Sequence, residues 1–258
     1  MPIPNQNIAL VDLTQKVSST DLKAVADALQ IQVSRDFASI WGQDATIQVL
    51  ENSTIPKGTW PIWIVDEIDV EGVKGYHWTD ERNVPFSKVE YREGWSLTAS
   101  HELLEMLVNP YVNRTMKVKG LDNSGQEVEF LVEVSDPVED DDYGYRINGV
   151  LVSNFYYPAF FDLIKVENRK YDHLGWLTEP RKLLNGGYIS WKDAAGQWYQ
   201  AFMIEGQLIT KKLGDTMPLT AREKRTLWTL GAIGLGVVAL IVFIISKINN
   251  NGNTSKGG

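Results

Sequence analysis

The longest helical pattern in the chain runs from residue 18 to residue 42. Ser18, Ser19, Thr20 and Asp21 offer N-caps, Leu22, Val25, Ala26, Leu29, Val33, Phe37, Ile40 and Trp41 recur at helical spacing, and Gly42 supplies a stop. The pattern predicts one amphipathic core helix of about six turns. Strand patterns follow over 45–50 and 60–65, separated by Pro56-Lys57-Gly58, and Pro61 places the second at a sheet edge or near a strand start. Gly75-Tyr76-His77-Trp78 and a further strand over 86–91 then lead into a second helix, over 94–110.

Asn109-Pro110 ends that second helix. Beyond it, 116–119 and 127–134 read as a hairpin across Asp122-Asn123-Ser124-Gly125, and a short hairpin follows over 147–152. The aromatic run at 154–161 reads as core or pocket wall, and 188–191 with 197–202 form another hairpin. Residues 208–226 are polar and basic and read as a stalk. From Leu227 to Ser246 no residue is charged, which is the length a helix needs to cross a bilayer core of about 30 Å. Arg222, Lys224 and Arg225 precede this span, while Lys247 and Lys256 follow it, so the large domain is expected on the cytoplasmic side. The resulting division is a domain at 1–207, a stalk at 208–226, a transmembrane helix at 227–246 and a polar tail at 247–258.

Composition adds exclusions. A formal charge of −8 with no long basic run in the domain argues against a nucleic-acid partner. The N-terminal residues have neither a basic start nor an apolar stretch, so no secretory leader is expected. There is no cysteine, which removes disulfides, thiolate metal sites and a thiol nucleophile. A metal would have to be held by histidine and carboxylates.

The second helix offers such ligands. Its sequence G-W-S-L-T-A-S-H-E-L-L-E-M-L-V-N-P contains the frame H-E-x-x-E, with His101 and Glu105 one turn apart on one face and Glu102 about 100° round the axis. In the zincin pattern H-E-x-x-H, the outer residues bind zinc and the inner Glu is the general base. Leu103, Leu104, Leu107 and Val108 make the helix apolar around its polar residues, so a buried His and Glu need a partner. That partner is either a metal ion or a buried ion pair. The best source of a third ligand is the acidic segment from Glu133 to Asp142. Glu133 and Asp136 are preferred because they border a strand end, whereas Asp140 to Asp142 read as solvated loop. His173, alone in an expected loop, reads as a bystander.

Several segments, in order, resemble an uncharacterised family of bacterial and phage proteins with a zincin-like site. They are G-Y-H at 75–77, S-H-E-L-L-E-M-L-V-N-P at 100–110, E-V-S-D-P-V-E at 133–139, V-S-N-F at 152–155 with P-A-F-F-D at 158–162, and L-L-N-G-G-Y at 183–188. The resemblance implies that His101, Glu102, Glu105, Glu133 and Asp136 belong to one site. Family members carry Asp where this chain has Asn109, which puts a role for that position in doubt. The apolar C-terminal span is not part of the family pattern.

The expected fold is therefore α+β: a zincin-like domain with a mixed sheet and an active-site helix, followed by β-hairpins and a C-terminal transmembrane helix. The expected function is a membrane-anchored, zinc-dependent hydrolase, most simply a peptidase acting on peptide or protein substrates. His101, Glu105 and a carboxylate from Glu133 or Asp136 would bind Zn²⁺, and Glu102 would take the proton of the metal-activated water. Carboxylate ligands weaken the Lewis acid, which leaves room for slower chemistry or for another divalent ion such as Mn²⁺. The alternative is a metal-binding or structural protein displayed on a phage or host membrane without turnover.

Overall fold

Ile8, Ala9, Leu10 and Val11 are all buried in β1 (Asn5–Asp12), an internal strand of a sheet. The computed structural model describes residues 3–69, 73–121 and 125–213. β1 pairs in parallel with β2 (Asp44–Val49) on one side and β3 (Thr59–Val65) on the other. β3 pairs in parallel with β5 (Pro85–Glu90), and β4 (Gly75–Thr79) closes that edge antiparallel to β5. The sheet is mixed, with order β2-β1-β3-β5-β4. Pro61 is tolerated in an internal strand because the pairing of β3 with β5 begins only at Ile62, one residue later.

The long N-terminal helix forms in three continuous pieces. α1 (Ser19–Ile31) is capped by Ser18, whose hydroxyl accepts the Asp21 N–H at 3.0 Å. It passes into a π-helical segment, Gln32–Phe37, and closes as α2 (Ala38–Trp41), after which Gly42 takes φ 68°. Leu22, Val25, Ala26 and Leu29 of α1 are buried in the same core as Ile8, Leu10, Ile62 and Ile64 of the sheet.

The motif helix is α3 (Trp95–Val108), and every residue from Leu97 to Val108 is buried. It packs against β4 and β5 of the mixed sheet and against β9 (Val150–Val152), which forms a two-stranded hairpin with β8 (Tyr145–Ile147). A second, antiparallel sheet has the order β12-β11-β10-β7-β6, made from β6 (Thr115–Lys119), β7 (Glu127–Leu131), β10 (Tyr188–Lys192), β11 (Trp198–Ile204) and β12 (Gln207–Lys212). The aromatic run contributes Phe155, Tyr156 and Phe160 to the core, each fully enclosed.

Three expectations are corrected. Residues 208–212, expected to open a stalk, are the outer strand β12, paired with β11 from Ile204↔Gln207 to Tyr199↔Lys212. The fold class expected to end in a transmembrane helix, and the single-pass membrane location with the domain on the cytoplasmic side, are overturned by the helices found. Among the described residues no helix is long and apolar enough to cross a membrane. α1 has 13 residues and α3 has 14, so α3 spans about 21 Å and carries a histidine and two glutamates at its centre. The span expected at 227–246 lies outside the described residues.

Candidate metal centre

α3 presents His101, Glu102 and Glu105 to the interior, where each is less than a tenth exposed. One oxygen of Glu105 is already committed. Its Oε1 accepts the backbone N–H groups of Ser135 at 3.0 Å and Asp136 at 3.3 Å, at the start of the 3₁₀ turn Asp136–Val138. The other oxygen, Oε2, lies 3.2 Å from His101 Nε2, and His101 Nε2 lies 3.1 Å from Asp136 Oδ1. Ligand atoms held at 2.0–2.2 Å around a tetrahedral ion stand about 3.4 Å apart, and the three atoms of this triad all lie within 4.8 Å of one another.

The 3₁₀ turn is fixed from behind. Leu184 donates its N–H to the Pro137 carbonyl at 2.9 Å, Gly187 lies against the backbone of Asp136 and Pro137, and the Tyr188 hydroxyl donates to Asp136. The L-L-N-G-G-Y segment is thus the seat of the acidic turn, and its glycine allows the backbones to touch.

His77 was not singled out from the sequence as a ligand. It enters the cluster from β4, with Nδ1 3.4 Å from Glu102 Oε2 and 3.9 Å from Glu105 Oε2, and Nε2 3.7 Å from Glu133 Oε2. Glu133 follows the end of β7 and is held by Asn109, whose Nδ2 donates to Glu133 Oε1 at 2.9 Å. The orientation of that amide is set by its other end, because Asn109 Oδ1 accepts the N–H groups of Asn113 at 2.9 Å and Arg114 at 2.7 Å. The amide of Asn109 therefore has a structural role here: an ionised Asp at this position could not donate to Glu133.

All five residues expected in the site meet, and His77 joins them. Two sets, His101-Glu105-Asp136 and His77-Glu105-Glu133, each bring three ligand atoms within 4.8 Å of one another and could bind a metal ion. The chemistry of the donors fits a divalent cation. His77 Nε2 and Glu133 Oε2 are buried polar atoms without a hydrogen-bond partner among the described residues, and such atoms are costly unless something compensates them.

The electrostatics divide the cluster's groups. Burial disfavours charge on His101, but Glu105 and Asp136 outweigh it and hold the imidazole well above its ordinary value. Burial, joined by Glu105 and Asp136, pushes Glu133 well up, and burial with Glu105 does the same to Asp136. Glu139, whose carboxyl turns inward beside the cluster, is pushed up to about 7, chiefly by burial. Glu105 goes the other way: burial disfavours its charge, but His101 beside it prevails and holds the carboxyl below its ordinary value.

The tyrosines separate as well. The Tyr156 hydroxyl is buried, has no hydrogen-bond partner among the described residues, and feels Glu133, Glu105 and Asp136, whereas Tyr157 lies 3.4 Å from His173. His173 stacks on Phe155 with ring centroids 5.0 Å apart and belongs to no metal set. Asp140 to Asp142 also stay outside both sets, and Asp140 caps the 3₁₀ turn Asp141–Tyr143.

Compared with known proteins, the chain matches no family model, no curated protein and no solved structure.

Proposed function

We propose that this domain is a zinc-dependent hydrolase, most simply a peptidase, with the ion held by His101, Glu105 and Asp136. The observation that supports the reading best is the division of labour on Glu105. Two backbone amides fix Oε1 and leave Oε2 facing His101 Nε2, which is itself 3.1 Å from Asp136. An ion bound there supplies Lewis acidity to a water molecule. Glu102 lies next to His101 on α3, outside both three-residue metal sets, and its Oε2 is steadied by His77 Nδ1 at 3.4 Å. It is the residue positioned to take a proton. Gly75 leaves room on its other oxygen: a Cβ there would stand 3.1 Å from Glu102 Oε1.

A second reading, metal binding without turnover, is favoured by the enclosure of the cluster. His77, His101, Glu102, Glu105, Glu133 and Asp136 are each at most 8% exposed. One experiment separates the two. The full-length chain and Glu102→Gln are stripped with chelator, reloaded with Zn²⁺, assayed for metal content and offered a peptide library. Hydrolase chemistry requires metal in both proteins and cleavage by wild type alone. Metal in both with cleavage by neither establishes the second reading, and metal in neither defeats both.

A further inference from the structure

We propose that the cluster holds two divalent cations at once, the second between His77 Nε2 and Glu133 Oε2, with Glu105 common to both positions. This rests on the metal reading above and goes beyond it, because a single ion at His101 leaves the other half of the pocket unexplained.

The unexplained half is well defined. His77 and Glu133 are both more than nine-tenths buried, and their free atoms face each other at 3.7 Å, too far for a hydrogen bond. Both atoms are aimed by their other ends. Asn109 occupies Glu133 Oε1, and its own orientation is forced by two backbone N–H groups. The Nδ1 side of His77 faces Glu102, so Nε2 presents its lone pair toward Glu133. A carboxylate oxygen and an imidazole lone pair held this way repel each other unless a proton or a metal ion lies between them, and 3.7 Å is too long for a shared proton. Two atoms 3.7 Å apart can both sit at 2.0–2.2 Å from one ion.

Charge balance accommodates the same number. Glu102, Glu105, Glu133 and Asp136 are four buried carboxylates, and the ion pairs they make run to two histidines. With both histidines as neutral ligands and the four carboxyls ionised, one divalent ion balances two of these charges and two ions balance all four. Sharing of Glu105 makes the two positions neighbours.

The test uses full-length protein, stripped with chelator and titrated with Mn²⁺, with bound metal measured by elemental analysis and electron paramagnetic resonance. Wild type should bind two equivalents, the second producing the broadened signal of a spin-coupled pair. His77→Gln should bind one and give the six-line signal of an isolated ion. Saturation of wild type at one equivalent, with an isolated-ion signal, would overturn the two-ion proposal and leave the single-metal reading intact. Absence of binding would overturn both. The wild-type titration decides the matter even if His77→Gln fails to fold.

Discussion

Gly187 lies against the backbone of Pro137: a Cβ at 187 would meet the Pro137 carbonyl oxygen and stand 2.7 Å from the carbonyl carbon. The contact joins β10's leading edge to the turn that carries Asp136, so a methyl group at 187 must move that turn. Gly187→Ala is expected to cost about 1–3 kcal/mol of stability, as overpacking does, and to weaken metal binding at the same time. Urea denaturation and metal titration check the two effects. Wild-type metal affinity in a destabilised variant would show that Asp136 does not depend on this seat.

A buried polar network ties α3 to the π-helical segment. Ser100 donates to Gln32 Oε1 at 2.7 Å, Gln32 donates to the Ser153 carbonyl at 2.8 Å, and the Ser153 N–H returns to Ser100 at 2.9 Å. Gln32→Met would fill the space but strand two partners, at an expected cost of about 1–3 kcal/mol in urea denaturation. A change within about 0.5 kcal/mol, the range of inert surface substitutions, would mean that solvent or a neighbour replaces the lost bonds.

Asp36 sets an acid-side dependence away from the metal cluster. Burial disfavours its charge, but Arg35 at 2.6 and 2.8 Å and Tyr145 at 2.8 Å, with His173 nearby, prevail and hold its carboxyl below the usual value. A depressed carboxylate contributes stability above its unfolded pKa of about 3.9 and loses it as pH falls through the folded value. The stability difference between wild type and Asp36→Asn should be present near pH 5 and shrink below about pH 4 as the Asp36 carboxylate is protonated. A difference that widens toward acid would reverse the sign and refute the assignment.

The features that could be read from the sequence were local ones. The spacing of His101 and Glu105, the caps around 18 and 42, and the hairpins over 116–134 and 188–202 are set by neighbours in the chain, and they appear as α3, α1 with α2, β6–β7 and β10–β11. β1 escaped because its run Ile8–Val11 is buried on both faces and so lacks alternation. β12 escaped for the opposite reason: its pattern is polar, and most of its side chains are exposed or half-buried. His77 is a matter of pairing. Its place beside Glu102 and Glu133 follows from the register Ser87↔His77 and from the packing of β4 on α3, neither of which has a signature in residue spacing. The G-Y-H segment was a visible clue, but its histidine had no chemistry assigned to it. The membrane expectation rests on residues 227–246, which lie outside the described residues.

β4 is the outer strand of the mixed sheet, bonded along one side to β5, and it carries His77. The other ligands come from the buried helix α3 and from the segment beyond β7. An enclosed ion leaves through the wall that opens at the lowest cost, and an outer strand detaches far more often than a core helix unfolds. Ion release should then keep time with the amide exchange of residues 75–79 and run much faster than exchange in α3, as stopped-flow chelation and hydrogen–deuterium exchange can measure. If the cluster holds an ion, its residence time would then be a property of one strand's hold on its neighbour, because β4 is one of the cluster's walls.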